Sequence, residues 1–262
     1  MRPTYSSILG HAERIAARAA ATLVEMQGGA LAANRKELRD IVTQADLASE
    51  RIVIEGLRAA TPDAGILSEE AGILGPQGGK RWIVDPLDGT INYAAGLPWF
   101  SVTMAYQEDG VTRAGIVDAP LARLKATFED GAPPRINDQE ARVSAITSLS
   151  DAVVSVVLTS HFSPREVARS AEIIRRLGEA ARGVRIIVSG GLEMCLVASA
   201  KLDAFVSIKA DIVSHAAAMP ILRGAGGRIT RLDGSEAGDD DAERVASNGH
   251  LHAELLACLK GI

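Results

Sequence analysis

The chain has 262 residues, 47% of them hydrophobic but only 3% aromatic, so a core of ample size must be filled by Ala, Val, Ile and Leu. Its 28 Lys and Arg against 33 Asp and Glu give a formal charge of −5. That balance argues against nucleic-acid or anionic-membrane binding, both of which need a basic face. Cys195 and Cys258 are too few for a disulfide framework and sit in apolar helical patterns, which points to buried inert thiols and a reducing compartment. Glu13, Arg14 and Arg18 interrupt any apolar leader, and no run approaches the roughly 18 apolar residues of a membrane span. The expectation is a cytoplasmic protein without a membrane partner.

Ile8, Ala12, Ile15, Ala19 and Leu23 recur at steps of three and four and predict a helix over 4–26, ended by Gly28 and Gly29. After Ile41-Val42-Thr43, a second helix is predicted over 46–60, with Leu47, Val53, Ile54 and Leu57 as core positions. A short strand at 65–68 delivers Glu69 and Glu70, and a Gly-rich loop at 72–79 leads to an apolar strand at Trp82. Segments 101–106 and 114–117 flank Asp109-Gly110 as a hairpin, with a third strand at 124–128. A polar stretch at 129–137 then turns the chain. From Ala152 the pattern alternates: strands at 152–159, 184–188 and 203–208 precede helices opened by Ser163-Pro164, running over 191–201, and stopped by Gly226-Gly227. Strands at 228–231 and 243–247 and a helix from 250 complete an α/β layer behind an α+β first half with antiparallel strands.

The stretch from Trp82 to Tyr93 organises the rest. An apolar strand runs into Asp85-Pro86-Leu87-Asp88-Gly89-Thr90. Taken alone this is a good turn sequence. Pro86 also holds Asp85 extended at the strand end, and the turn returns Asp88 beside it, close to Glu69 on a neighbouring strand. Three converging carboxylates repel one another unless a cation neutralises them, and oxygen ligands without His or Cys select Mg²⁺ or Mn²⁺ over zinc. Gly89 and Thr90 add amides, and Thr90 a hydroxyl, at the start of a short helix suited to a phosphate. Asp46, three residues after Thr43, reads either as a helix-capping acid or as part of this site.

These residues resemble the inositol monophosphatase family of lithium-sensitive, magnesium-dependent phosphatases. The resemblance rests on Leu67-Ser68-Glu69-Glu70, on the block from Trp82 to Tyr93, and on the segment ending Ala225-Gly226-Gly227. It extends from Asp40 through Glu193-Met194-Cys195 to Asp203-Ala204-Phe205, nearly the whole chain. It implies a layered αβαβα sandwich, with an N-terminal half over 1–140 and a C-terminal half over 141–262 closing one cleft. It further implies that Glu69, Asp85 and the Leu87 carbonyl hold a first metal, and Asp85 and Asp88 a second. Thr90 with Asp46 would orient or deprotonate the attacking water, the Gly89 and Thr90 amides would hold the phosphate, and Glu70 would support the ligands. Inhibition by Li⁺, a homodimer and a small phosphorylated substrate such as inositol 1-phosphate are implied in the same way.

The sequence departs from the family pattern where Trp-Asp usually precedes an Ala-rich helix. Val213 and Ser214 stand there, so the usual second-metal ligand is missing, and Asp211, one helical turn upstream, is the candidate replacement. An acid that often follows the Asp-Ala-Phe strand is here Ser207, and Ser189 and Gly190 occupy the segment that usually touches the sugar ring. His161, His215, Arg182 and Arg185 read as structural or surface residues first. The expected reaction is hydrolysis of a small phosphate monoester. Fructose 1,6-bisphosphate and histidinol phosphate are alternative substrates, and a non-catalytic ligand- or partner-binding protein is the alternative of another class.

Overall fold

The computed structural model describes residues 4–27, 33–37 and 40–262, the side chains of 33–43 excepted. The first half contains α1 (Tyr5–Gln27), β1 (Ala33–Glu37), β2 (Asp40–Thr43), α2 (Gln44–Ala60), β3 (Gly65–Ser68), β4 (Gly72–Leu74), β5 (Lys80–Asp88), α3 (Thr90–Ala94), β6 (Ser101–Glu108), β7 (Val111–Ala119), β8 (Leu124–Glu129), β9 (Arg135–Ile136) and β10 (Gln139–Glu140). The second half contains β11 (Val153–Val156), α4 (Pro164–Ala180), β12 (Gly183–Arg185), α5 (Gly190–Ala198), β13 (Ala204–Ser207), α6 (Ile212–His215), α7 (Ala218–Gly224), β14 (Arg228–Thr230), β15 (Arg244–Ser247) and α8 (His252–Leu259).

An eight-stranded sheet runs β10-β9-β8-β7-β6-β5-β3-β4 and a five-stranded sheet runs β12-β11-β13-β15-β14. α1 and α2 cover one face of the large sheet, α5 and α7 lie between the sheets, and α4 and α8 cover the outer face of the small one. This is the αβαβα layering. β5 illustrates why its sequence is a continuous apolar run. Trp82 and Val84 pack into the cluster under α1 and α2, whereas Ile83 packs into the cluster shared with α5 and α7, so neither face meets water.

The first half is not wholly antiparallel, because β3 pairs with β5 in parallel, Ser68 opposite Val84. This pairing brings the residue after each strand to the same end of the sheet. The second half is mixed in turn: β11 is parallel to β12 and β13, but β15 is antiparallel to both β13 and β14. The helix predicted ahead of Gly226 is broken into α6 and α7. The strand predicted over 184–188 ends at Arg185, and Val188, with a φ of 63°, lies outside extended geometry.

In α1 the five periodic positions are all buried. In α2 Val53 and Leu57 are buried, but Leu47 is 42% exposed. The buried stripe at that end runs instead through Asp46, Ser49 and Glu50. Ser49 Oγ donates to the Pro86 carbonyl (2.7 Å), and Glu50 accepts from Ser68 Oγ (2.6 Å) and the Ala71 amide (2.9 Å). The start of α2 therefore faces the two loops that carry the acidic residues, and polar side chains satisfy those loops where a leucine would leave them unpaired.

Candidate active site

A pocket of about 340 Å³ opens where β3, β5 and α3 of the large sheet meet β11, α5, β13 and α6. It collects Glu69, Glu70, Asp85, Leu87, Asp88, Gly89, Thr90, Gly190, Asp211 and Ser214. Asp46 and Ser189, also proposed from sequence, do not line it; each is buried behind its wall.

The segment 85–90, where β5 is bulged between Asp85 and Asp88 before α3 begins, is fixed by its own atoms. Asp85 Oδ1 accepts from the Leu87 amide (3.0 Å), and Thr90 Oγ1 donates to the Leu87 carbonyl (3.0 Å). Gly89 has a φ of 93°, and a Cβ there would lie 2.7 Å from the Trp99 carbonyl oxygen, so backbone conformation and close approach both require glycine. Asp88 Oδ2 accepts from Ser101 Oγ (3.1 Å), Ser189 Oγ (2.8 Å) and the Gly191 amide (3.0 Å). Ser189 therefore acts on the pocket through Asp88. A Cβ on Gly190 would strike the His215 ring and one on Gly191 the Ser214 carbonyl, so the paired glycines let α5 approach both.

Ser214 Oγ donates to Asp85 Oδ2 at 2.7 Å. The helix behind it does not start early: Asp211 is the N-cap of α6, its Oδ1 accepting from the Val213 amide at 3.0 Å. Asp211 is nevertheless near enough to Glu69 for its charge to disfavour ionisation there. Glu69 is exposed to the open pocket, but the pocket walls strip water from its carboxyl and, with the like charges of Asp211, Glu70 and Asp88, push it up to about 7. Burial and the neighbouring carboxylates raise Asp85 well above its ordinary range, and burial raises Asp88 against the pull of its hydrogen-bond donors.

This uncompensated negative charge fits a divalent cation, and the carboxylates with the Leu87 carbonyl are the hard oxygen donors such a cation takes. Among the described residues no three His, Cys, Asp or Glu side chains are already closed into a metal cluster. Asp85 and Asp88 instead spend oxygens on hydroxyl and amide donors of the second half. His215 does not add a ligand charge: it is 4% exposed, edge-on to Phe205 at 5.8 Å, and burial pushes it down to about 3, so the ring is neutral.

Val157, Thr159 and Lys209 also line the pocket and were not anticipated. Their position just past the ends of the parallel strands β11 and β13 is the signal that could have found them, since ligands of α/β sheets gather at the carboxyl ends of strands. Arg185 is exposed and turned onto the neighbouring Val184 carbonyl (3.0 Å), outside the pocket.

The sequence profile of the inositol monophosphatase family matches residues 4–261. The chain belongs to the inositol monophosphatase family. It is 34% identical over 218 residues to a fructose-1,6-bisphosphatase/inositol-1-monophosphatase of Thermotoga maritima, covering 83% of this chain and 82% of that one. It is 36% identical over 228 residues to a histidinol-phosphatase of Mycobacterium tuberculosis, covering 83% and 84%. The solved structure of the extragenic suppressor protein suhB of Bartonella henselae superposes with a TM-score of 0.91 at 31% identity, covering 97% of this chain and 99% of that one. Family members thus act as phosphatases on chemically different esters, and the αβαβα layers are those of the family.

Proposed function

We propose that the protein hydrolyses a small phosphate monoester to an alcohol and phosphate, with Mg²⁺ as its preferred cation and Mn²⁺ as a substitute. The observation that carries the reading is the meeting of Glu69, Asp85 and Asp88 with Gly89 and Thr90 in one pocket. Glu69, Asp85, Asp88 and the Leu87 carbonyl would hold the cation, and Asp211 at the rim would stand in for the acid that the family pattern has at the position of Ser214. Bound there, the cation would acidify a water and neutralise charge on the phosphoryl oxygens and the leaving alkoxide.

The remaining work falls to side chains and amides of the chain. Asp88, anchored through Oδ2, would offer its other oxygen to the cation without rotating. The Gly89 and Thr90 N–H groups would hold phosphate oxygens at the end of the turn. Thr90 Oγ1 donates to the Leu87 carbonyl; by turning that proton to the buried Asp46 carboxylate at the start of α2, it would accept the proton of the attacking water as it passes its own to Asp46. Attack then forms a new P–O bond as the ester P–O bond breaks, and the departing oxygen takes up a proton. Glu70 lines the rim and would support Glu69.

A panel of phosphate esters tests this, with phosphate release followed in Mg²⁺, in Mn²⁺ and after chelation. Release that requires the divalent cation and falls on adding Li⁺ is expected. No cation-dependent release from inositol 1-phosphate, fructose 1,6-bisphosphate, histidinol phosphate or other sugar phosphates would overturn it. The Ser214 to Asp85 bond favours one second reading, a non-catalytic phosphate-binding member with a weakened cation site, which the same null result with retained phosphate binding would support.

A further inference from the structure

The charges of the pocket are unevenly placed. Glu69, Glu70, Asp85, Asp88 and Asp211 line the side where the cation would sit. Beyond the ends of β11 and β13 the wall is Val157, Thr159, His161, Ser207 and Lys209, and Lys209 is the one lysine or arginine among the described residues lining this pocket. The strand end carries no acid: Ser207 is 1% exposed, and its Oγ accepts the Lys209 amide (3.3 Å).

The Lys209 ammonium is held loosely. It lies 3.4 Å from the His161 carbonyl oxygen and 3.5 Å from Glu166 Oε1, with 49% of the side chain exposed. Glu166 is already engaged, since its Oε2 accepts the Ser163 amide (2.6 Å) in the capping box of α4. Lys209 also borders an adjoining hollow lined by Asp239 and Asp240. A long, half-exposed lysine with one distant ion partner can exchange it for a closer anion at little cost.

We propose that Lys209 is a specificity-determining residue that selects phosphate monoesters carrying a second anionic group over esters of neutral polyols. The inference rests on the phosphatase reading and deepens it. A carboxylate or a second phosphate at the far end of the substrate forms a charge-assisted hydrogen bond with the ammonium, whereas a neutral hydroxyl there gains less and finds no carboxylate acceptor on the Ser207 strand end. Thr159 stands beside Lys209 on the same wall as a hydroxyl donor to that second group.

The test compares kcat/KM for inositol 1-phosphate, fructose 1,6-bisphosphate and 3-phosphoglycerate, with Mg²⁺ in excess over every ester, in the wild type, Lys209→Met and Lys209→Arg. The wild type is expected to favour at least one acidic ester over the neutral one, and which one distinguishes a second phosphate from a carboxylate. Lys209→Met should reduce that ratio by about tenfold, mainly through KM, and Lys209→Arg should largely restore it. Rising salt should erode the preference in the wild type and not in Lys209→Met. An unchanged ratio in Lys209→Met, or a wild type that prefers the neutral ester, overturns the inference alone. No phosphate release from any ester by the wild type overturns the phosphatase reading and this inference with it.

Discussion

The three donors on Asp88 Oδ2 decide how a substitution at this residue will behave. In Asp88→Asn the amide oxygen must take the place of Oδ2, because Ser101, Ser189 and the Gly191 N–H all point there. The NH₂ then turns into the pocket, towards the place where a cation would sit. Divalent-cation affinity and turnover should both fall, turnover by on the order of 100-fold. A carboxylate that burial disfavours is lost while its donors keep an acceptor, so the chelated variant should melt no lower than the chelated wild type. Calorimetric titration with Mg²⁺ and a melting curve in chelator separate these effects; a marked drop in melting temperature would show that Asp88 is needed for folding. Asp85 and Asp88 were legible in the sequence because their geometry is set by three adjacent residues and one proline. Ser101 was not, because a serine at a strand end has no pattern that foretells its acceptor; Ser189 was singled out, but as a substrate contact, and only the packing of α5 shows its hydroxyl on Asp88.

Among the elements, α5 is tied to the small sheet by Glu193, which is fully buried and accepts from Ser155 Oγ on β11 and from the Ser189 amide (2.9 Å). Burial pushes its carboxyl up to about 7 from 4.5, against the pull of those two donors. A carboxyl whose folded pKa lies above its unfolded one contributes stability below the unfolded value and loses it as pH rises through the folded value. Glu193 should therefore cost the fold on the order of 3 kcal/mol between pH about 4.5 and about 7. Glu193→Gln keeps both contacts without the charge. Buried His215 and His252, held down to about 3 and about 4, act with the opposite sign, so the reading is the difference between variant and wild type. In chelator the variant should gain a few degrees on the wild type from pH 5 to pH 8; parallel melting-temperature profiles would refute the assignment. Elements with a strong local signal, such as α1 with its apolar stripe and α4 opened by Ser163-Pro164, were readable in advance. The break between α6 and α7, the antiparallel β15 and the exposed Leu47 were not, since each depends on what the segment packs against.

At the scale of the molecule the pocket is a seam, closed by hydrogen bonds between residues more than 100 positions apart: Ser189 and Gly191 to Asp88, Thr103 Oγ1 to the Val213 carbonyl (3.0 Å), and Ser214 to Asp85. Counting along the sequence could place Ser214 opposite the motif, but only the packing of the two sheets gives its hydroxyl a partner. Through that bond a neutral donor compensates part of the Asp85 charge that a cation would otherwise balance. Ser214→Asp should reverse the trade. Without cation, a further carboxylate beside Asp85 adds repulsion at a site that burial already disfavours, and the variant should melt below the wild type. With Mg²⁺ the added ligand should raise the number of ions bound, and the melting temperature should climb more steeply with Mg²⁺ than in the wild type, because an ion that binds only the folded state stabilises it by mass action. Ser214→Ala separates loss of the hydroxyl from gain of the acid: it should lower cation-free stability by about 1 kcal/mol through the lost bond to Asp85 and add no ion. Equal ion stoichiometry in the wild type and Ser214→Asp, with parallel Mg²⁺ dependence of melting, would mean that position 214 does not govern how many ions this seam holds.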